Sequence, residues 1–211
     1  MNGFDLDALG RFVRLFAGRI HEAREELTRL DSAIGDADHG INMDRGFSAV
    51  VAKLDGAAAA EDLGAAAKGI GMTLISTVGG ASGPLYGTFF LRMATSFGDA
   101  ASVDAAGLGS ALRAALEGVV HRGKAEVGDK TMVDALAPAA DAYDGAAAEG
   151  IGAALAAAAA AAAEGRDRAT PLTARKGRAS YLGERSAGHQ DPGATSTTIL
   201  LESLRDAFAE G

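Results

Sequence analysis

The segment LDALGRFVRLFAGRIHEAREELTRL, residues Leu6 to Leu30, shows the pattern that decides the fold. Its apolar residues return every three or four positions, and charged residues fill many of the positions between them. Because an α-helix has about 3.6 residues per turn, this spacing places the apolar side chains on one face. The segment is therefore predicted to form one long amphipathic helix with a buried face.

The same periodicity returns along the rest of the chain. It predicts helices over about residues 42–54, 61–77, 84–97, 103–121, 130–143, 146–164 and 192–208. No stretch alternates apolar and polar residues for long enough to predict a strand. The sequence therefore predicts an all-α fold of about eight helices.

Several helix ends are predicted from their own chemistry. Ser102 and Asp129 have side chains that can cap the helices after them, and Asp191 before Pro192 is typical of an N-cap followed by a first-turn proline. Pro138 falls inside a helical pattern and is predicted to kink or interrupt it. The alanine-rich run at 150–163 is predicted to be a structural helix, since alanine is the strongest helix former.

Length and composition predict a single domain, residues 1–211, and exclude several functional classes. The chain has no cysteine, which excludes disulfides, zinc–thiolate sites and cysteine nucleophiles and fits a cytoplasmic protein. A formal net charge of -8 opposes general binding to nucleic acid or to an anionic membrane surface. Neither a secretory signal nor a membrane-spanning segment is predicted.

Four glycine-bearing connections separate the predicted helices. They are DSAIGDADHG (31–40), VGGASGPLYG (78–87), HRGKAEVGDKTM (121–132) and RKGRASYLGERSAGHQDPGATS (175–196). In an up-and-down bundle, alternate connections meet at one end. These connections are therefore predicted to form one composite site.

The first connection gathers three carboxylates, those of Asp31, Asp36 and Asp38. Carboxylate oxygens are the ligands that Mg²⁺ and Ca²⁺ prefer, and the neighbouring glycines allow the sharp turns that convergence needs. The spacing differs from an EF-hand loop and lacks its closing glutamate, which favours Mg²⁺ shared with phosphate oxygens. The alternative is an ordinary turn, because aspartate and glycine are also common turn and capping residues.

Two later connections can bind anions at helix N-termini. In GGASGPLYG, small residues precede a helix that Pro84 is predicted to start, and DPGATSTT repeats the arrangement at the last helix. The first of these motifs could equally be a plain turn between helices. Between them, ARKGRASYLGERS (174–186) carries four cations on a segment predicted to be mobile, which suits closure over a phosphate; the alternative is a solvated basic face.

Three histidines, His39, His121 and His189, lie at these connections. No Ser/His/Asp arrangement that would indicate a hydrolase is evident. A single histidine is more often a hydrogen-bonding group of the structure than a catalyst. For His39 the expected role is a contact with a nucleotide or a phosphate.

Taken together and in this order, the loops resemble those of the nucleotide-binding L subunits of dihydroxyacetone kinases. The segments that carry the resemblance are LDSAIGDADHGINMDRGF, GMTLISTVGGASGPLYGTFF, GVVHRGKAEVGDKTM and ARKGRASYLGERSAGHQDPGATS. The match runs from about residue 5 to the C-terminus. It implies a barrel of eight antiparallel helices that holds ADP or ATP and two Mg²⁺ ions at one end under a mobile lid.

The resemblance also implies roles for individual residues. Asp31, Asp36 and Asp38 correspond to the metal ligands, and together with Arg178 of the lid they would be the catalytic residues. The residues that correspond to nucleotide contacts are His39, Gly40, Ile41, Asn42, Ala81, Ser82, Gly123, Met132, Arg178, Asp191, Pro192 and Gly193. The alanine-rich run and Thr170–Pro171 before the lid depart from the family's pattern.

The resemblance implies partners as well. A separate K subunit would hold dihydroxyacetone, and a phosphohistidine M subunit of the phosphotransferase system would recharge the bound ADP from phosphoenolpyruvate. The chain would then be a cytoplasmic phosphoenolpyruvate–glycerone phosphotransferase subunit, expected as a homodimer. One alternative is the L subunit of a triose or tetrose kinase that exchanges free ATP. An alternative of another class is a non-catalytic nucleotide-sensing module.

Overall fold

The computed structural model describes residues 3–56 and 60–210, so residues 1, 2, 57–59 and 211 of the predicted domain lie outside the described part. Nine α-helices make up most of this part: α1 (Leu6–Glu22), α2 (Arg24–Ile34), α3 (His39–Gly56), α4 (Leu63–Thr77), α5 (Ser82–Phe97), α6 (Ala105–Gly123), α7 (Met132–Ala146), α8 (Ile151–Ala169) and α9 (Pro192–Ala209). Short 3-10 helices occupy Ala147–Glu149 and Arg178–Ser186. Two-residue strands, β1 (Phe4–Asp5) and β2 (Ser102–Val103), pair antiparallel.

The helices form a closed ring. α1 packs on α3, and each helix from α3 to α8 packs on the next one in the chain. α9 then packs back on α1. α2 continues α1 beyond a bend and packs on α3 and α9. Eight helices thus surround the core, with α2 as an extension of the first, which confirms the predicted all-α barrel.

The first helix is not one long helix, as the sequence predicted. It bends at Ala23, where ψ is 0° instead of a helical value. Apolar spacing continues across the bend, with Ile20 buried before it and Leu27 buried after it. Periodicity alone therefore could not reveal the break, which turns α2 away from the line of α1 and towards the residues of the 3-10 segment at 178–186.

The caps of α6 and α9 were predicted with mixed success. Ser102 does not cap α6, because it belongs to β2, and the carboxylate of Asp104 accepts the N–H of Gly107 instead at 2.8 Å. Asp191 does cap α9, where its carboxylate accepts the N–H of Ala194 at 2.7 Å and Pro192 follows in the first turn. An aspartate closer to the helix start took the role predicted for the serine.

The cap of α7 also differs from the prediction. The side chain of Thr131 caps the helix, and the carboxylate of Asp134 accepts the N–H of Thr131 at 2.7 Å to complete a capping box. Asp129 instead accepts the N–H of Glu126 at 3.0 Å and closes the turn that precedes the helix. Thr131 and Asp134 thus form hydrogen bonds at the start of the helix, whereas Asp129 forms its hydrogen bond within the preceding turn.

Pro138 does not interrupt its helix, and the alanine-rich helix has different bounds from those predicted. α7 runs through Pro138 without ending. α8 begins only after Gly150, whose φ of 101° suits glycine, and it continues through Gly165 to Ala169. A Cβ at Gly165 would lie 2.1 Å from the carbonyl oxygen of Asp134, so this glycine permits the close contact of α8 with α7.

The centre of the ring is filled by aromatic side chains from α1, α3 and α5. Phe16 meets Phe47 edge-on at 4.6 Å between ring centroids, and Phe12 lies 6.2 Å from Phe90. The ring of Tyr86 lies 6.2 Å from that of Phe47, at the end of this cluster that faces the alternate connections. Aromatic pairs at these distances pack favourably, so the core provides a rigid support for the loops above it.

The two ends of the ring have different structures. Residues of the α2–α3, α4–α5, α6–α7 and α8–α9 connections surround one cleft. At the other end, β1 pairs with β2 and the N–H of Leu63 donates to the carbonyl oxygen of Ala100 at 3.0 Å. Among the helices within residues 3–56 and 60–210, none combines the length and the hydropathy that crossing a bilayer requires.

Candidate functional site

The cleft at the loop end has a volume of about 580 Å³. The residues that line it come from within 31–39, 80–86, 119–133, 176–179 and 191–193. All four glycine-bearing connections therefore contribute to one site, as the bundle topology predicted.

Asp31 orders the acidic loop, residues 31–38, from the end of α2. It is buried, and its Oδ2 accepts the backbone N–H groups of Asp38 at 2.8 Å and His39 at 3.1 Å. A Cβ at Gly35 would lie 2.0 Å from Oδ1 of Asp31, so the turn requires glycine here. Ala37 adopts a left-handed conformation with φ 61°, which is costly for a residue with a Cβ and lies between the other two aspartates.

The three aspartates of this loop converge. Asp31, Asp36 and Asp38 each offer an oxygen, and these oxygens all lie within 4.8 Å of one another. Carboxylates at such distances repel one another, and a bound divalent cation removes that repulsion. An all-oxygen donor set of this kind fits a hard cation such as Mg²⁺.

The segment at 174–186, called the lid here, covers the acidic loop. Nε of Arg178 lies 2.7 Å from Oδ2 of Asp36, and both side chains are partly exposed. Ala174 and Ala179 of the lid are buried against Ile34 at the end of α2, with Leu182 beside them. The lid is therefore held on the acidic loop and the end of α2 by one ion pair and a small apolar contact.

His39 links three helices behind the cleft. Its Nε2 is 2.9 Å from Oγ of Ser196 on α9, and its Nδ1 is 3.0 Å from Oγ of Ser82 on α5. Burial lowers the pKa of His39 to about 4, although the nearby Asp31 acts in the opposite direction. The imidazole is therefore neutral at pH 7, and each ring nitrogen has a hydroxyl partner.

The hydroxyl network continues to Tyr86. Its OH lies 2.7 Å from Oγ of Ser196 and 3.2 Å from Oγ1 of Thr197. Burial raises the pKa of Tyr86 to about 12, so the phenol stays protonated. The network joins the starts of α3, α5 and α9, which border the cleft.

Most of the residues that the resemblance assigned to the nucleotide line this cleft. They are His39, Ala81, Ser82, Gly123, Met132, Arg178, Asp191, Pro192 and Gly193, and the three aspartates of the acidic loop line it as well. The starts of α5 and α9 contribute five of these residues. At the start of α5 the N–H groups of Ser82 and Gly83 can bind phosphate oxygens. At the start of α9, Pro192 has no N–H and the N–H of Ala194 donates to Asp191, which leaves the N–H of Gly193.

Three further predicted residues do not line the cleft. A Cβ at Gly40 would lie 2.1 Å from the carbonyl oxygen of Arg24, so this glycine serves helix packing. The side chain of Ile41 is 51% exposed, and the amide oxygen of Asn42 accepts a hydrogen bond from Arg45 at 2.6 Å. These three residues lie in the first turn of α3, directly after His39, which does line the cleft.

The structure adds cleft residues that sequence reasoning missed. One wall is apolar and is formed by Leu85, Val119, Ala125 and Val133. Their helical spacing indicated burial and nothing more, so no sequence signal separated this wall from the core. Lys130 also lines the cleft, although the sequence placed it only at the start of a helix.

Lys130 and Asp191 form the charged floor of the cleft. Burial raises the pKa of Asp191 to about 7, while its cap hydrogen bond and the ammonium of Lys130 act in the opposite direction. Burial likewise lowers the pKa of Lys130, opposed by Asp191 and Asp134. Perturbed groups of this kind, close together in a cleft, are typical of functional sites.

The chain is similar to proteins of one family. Residues 33–206 match the model of the DAK2 domain. Over 188 residues the chain is 50% identical to the "PEP-dependent dihydroxyacetone kinase, ADP-binding subunit DhaL" of Escherichia coli K12, covering 88% of this chain and 89% of that protein. It is 43% identical over 203 residues to the corresponding subunit of kinase 1 of Listeria innocua, with 95% and 96% covered.

A solved structure gives the same result. The dihydroxyacetone kinase of C. freundii in complex with AMP-PNP and Mg²⁺ superposes with a TM-score of 0.71 at 26% identity. The match covers 93% of this chain and 33% of that one, so this chain spans about a third of the longer kinase. The chain therefore belongs to the DAK2-domain family, in which the ADP-binding subunits of dihydroxyacetone kinases are its relatives.

Proposed function

We propose that this chain is the ADP-binding L subunit of a phosphoenolpyruvate-dependent dihydroxyacetone kinase. It holds ADP or ATP with two Mg²⁺ ions and transfers a phosphoryl group to dihydroxyacetone on a separate K subunit. The observation that carries the proposal is the meeting of three carboxylates, a lid arginine and two helix N-termini in one cleft. The names of the E. coli and Listeria relatives and the AMP-PNP complex of the C. freundii kinase support it.

The metal ions would be held by Asp31, Asp36 and Asp38. Magnesium bound there supplies positive charge to phosphate oxygens and neutralises charge during transfer. The chain holds these carboxylates in place before the ions bind. The backbone N–H groups of Asp38 and His39 donate to Asp31, and the left-handed conformation of Ala37 shapes the turn between Asp36 and Asp38. A loop that is already ordered loses little conformational entropy when the ions bind.

The nucleotide would lie along the cleft from its polar side to its apolar wall. In this arrangement the phosphates lie at the starts of α5 and α9, at Ala81–Ser82 and Asp191–Gly193. The first turn of α3 and the acidic loop lie beside them. The base suits the wall formed by Leu85, Val119 and Val133, near Gly123 and Met132. Gly40 and Ile41 contribute through backbone N–H groups in this arrangement, whereas the N–H of Asn42 donates to the carbonyl oxygen of Asp38 at 2.9 Å.

Arg178 would act on the transferred group. Its guanidinium lies above the acidic loop, where it can pair with phosphate oxygens, and an arginine so placed stabilises charge that develops in the transition state. His39 is instead assigned a structural role, because it is buried and each of its ring nitrogens lies within hydrogen-bonding distance of a hydroxyl group. Its contribution is to keep the starts of α3, α5 and α9 in register.

The proposed partners follow from this division of labour. A K subunit holds the triose, and a phosphohistidine M subunit of the phosphotransferase system recharges the bound ADP, consistent with relatives that are subunits of a phosphoenolpyruvate-dependent kinase. We also propose that the chain acts as one domain, residues 1–211, in the cytoplasm, as a homodimer and without binding to nucleic acid or membranes. The main hydrophobic core shared by the helices supports the single domain, and the acidic net charge supports the absence of binding to nucleic acid and membranes.

Reconstitution tests the proposal. The purified chain is combined with K and M subunits, and phosphorylation of dihydroxyacetone is measured with phosphoenolpyruvate or with free ATP as donor. We expect ADP to co-purify and phosphoenolpyruvate to drive turnover. A nucleotide-free chain that turns over with the K subunit and ATP alone would instead identify an ATP-exchanging kinase.

Paired aspartate variants separate catalysis from nucleotide sensing. Asp38→Asn removes a carboxylate of the acidic loop. Asp99→Asn makes the same change at an exposed position at the opposite end of the ring. We expect the first to lower turnover by at least about tenfold and the second to leave it unchanged. Full turnover of the Asp38→Asn complex would favour the non-catalytic sensing module.

A further inference from the structure

Lys130 is buried to an unusual degree for a lysine. Only 1% of it is exposed, and lysines are almost never fully buried unless they are paired. Its Nζ donates to the carbonyl oxygens of Ala169 at 3.0 Å and Thr170 at 2.6 Å, at the end of α8. Its backbone is left-handed, with φ 64°, a conformation that is unfavourable for a residue with a Cβ. The fold tolerates a buried charge and a strained backbone to place this ammonium.

The carbonyl of Thr170 is also where the two ends of the lid meet. The N–H of Gly188 donates to it at 2.9 Å, so the chain entering the lid is tied to the chain leaving it. We call Thr170 and Gly188 the lid neck. One residue before Lys130, the carbonyl oxygen of Asp129 accepts the N–H of Arg175 at 3.0 Å. Residues 129 and 130 therefore hold both the neck and the first residues of the lid.

The other side of Lys130 belongs to the cleft. Lys130 lines it together with Thr131 and Met132, where α7 begins, and its charge interacts favourably with those of Asp191 and Asp134. Asp191 caps α9 at the proposed phosphate-binding position. One side chain thus joins the lid neck to two walls of the cleft.

We infer that Lys130 is a positioning residue that fixes the lid neck against the cleft and so slows release of the bound nucleotide. This inference rests on the proposed nucleotide-binding function. Release requires the lid to lift from Asp36, and movement of the lid at its neck breaks the hydrogen bonds of Lys130. The side chain donates to backbone carbonyls at the lid neck, so it acts through the lid and not on the reacting phosphate.

The test measures dissociation of a fluorescent ADP analogue with Mg²⁺ by stopped-flow displacement. Lys130→Met keeps the length of the side chain and removes its donors, and Lys68→Met is the matched control at an exposed lysine of α4. We expect release about tenfold faster from Lys130→Met and unchanged from the control. Lys130→Gln, which retains donor groups, should fall between them. Equal rates in Lys130→Met and the wild type would overturn the inference.

A second readout needs no nucleotide. Trypsin can cut the lid after Lys176 and Arg178, both exposed, and we expect cutting about tenfold faster in Lys130→Met. A wild type that fails to bind the analogue would refute the proposed function, while faster cutting would still support the role of Lys130 at the neck. Unchanged cutting of Lys130→Met would refute that role. Loss of the helical circular dichroism signal in both Lys130→Met and Lys130→Gln would refute it as well.

Discussion

Replacing Asp191 by asparagine should remove a pH-dependent contribution to the stability of the fold. An aspartate has an ordinary pKa of 3.8, and burial raises that of Asp191 to about 7. Between these values the folded carboxyl keeps a proton that the unfolded chain has released. The folded state therefore binds more protons, and the stability contributed by this group is lost as the pH rises from about 4 through about 7.

The expected magnitude follows from that pKa shift. Each unit corresponds to about 1.4 kcal/mol, so the contribution of Asp191 falls by about 3 kcal/mol between pH 5 and pH 8.5. Asparagine caps a helix about as well as aspartate, which preserves the hydrogen bond from Ala194, and it does not titrate. The variant should therefore gain about 3 kcal/mol relative to the wild type over this pH range.

Urea unfolding followed by circular dichroism measures this difference. Nucleotide and Mg²⁺ must be absent, because ligands that bind the folded state add their own stability. Asp99→Asn, the same change at an exposed aspartate, is the matched control. If the stability difference between Asp191→Asn and the wild type were the same at both pH values, the raised pKa of Asp191 would be refuted.

Two further predictions concern the supports of the cleft. Gly35→Ala places a Cβ 2.0 Å from Oδ1 of Asp31. This variant should destabilise the fold by about 1–3 kcal/mol and weaken Mg²⁺-dependent ADP binding, measured by calorimetry. Its control, Gly18→Ala, has nothing near the added Cβ and should leave the stability unchanged or raise it. Tyr86→Phe removes a buried hydroxyl with two partners and should cost about 1–2 kcal/mol in urea unfolding, whereas Tyr181→Phe, at a side chain 84% exposed, should cost nothing measurable.

The ring of helices and the location of the site were predictable because each follows from local sequence. Apolar spacing determined which face of each helix is buried, and an even number of antiparallel helices brings alternate connections to one end. The cap at Asp191 was predictable as well, since an aspartate before a proline satisfies the first N–H groups of a helix by itself.

Features that depend on tertiary contacts were not predictable. The ammonium of Lys130 meets Ala169, 39 positions along the chain, and no local pattern marks that contact. The bend at Ala23 is hidden because the apolar spacing continues through it. The orientation of Ile41, away from the cleft, depends on how α3 packs on α2, where Gly40 meets Arg24.

The packing of α9 on α1 has a consequence for how the domain can be connected to other proteins. α9 starts at the cleft and runs away from it, and α1 starts beside the β1–β2 pair, so the start of α1 and the end of α9 lie at the end of the ring opposite the cleft. A polypeptide joined at either end leaves the approach to the cleft open. The same architecture can therefore serve as a separate subunit, as in E. coli, or as about a third of a longer kinase, as in C. freundii. Affinity tags or surface tethers at these ends should likewise leave the cleft accessible.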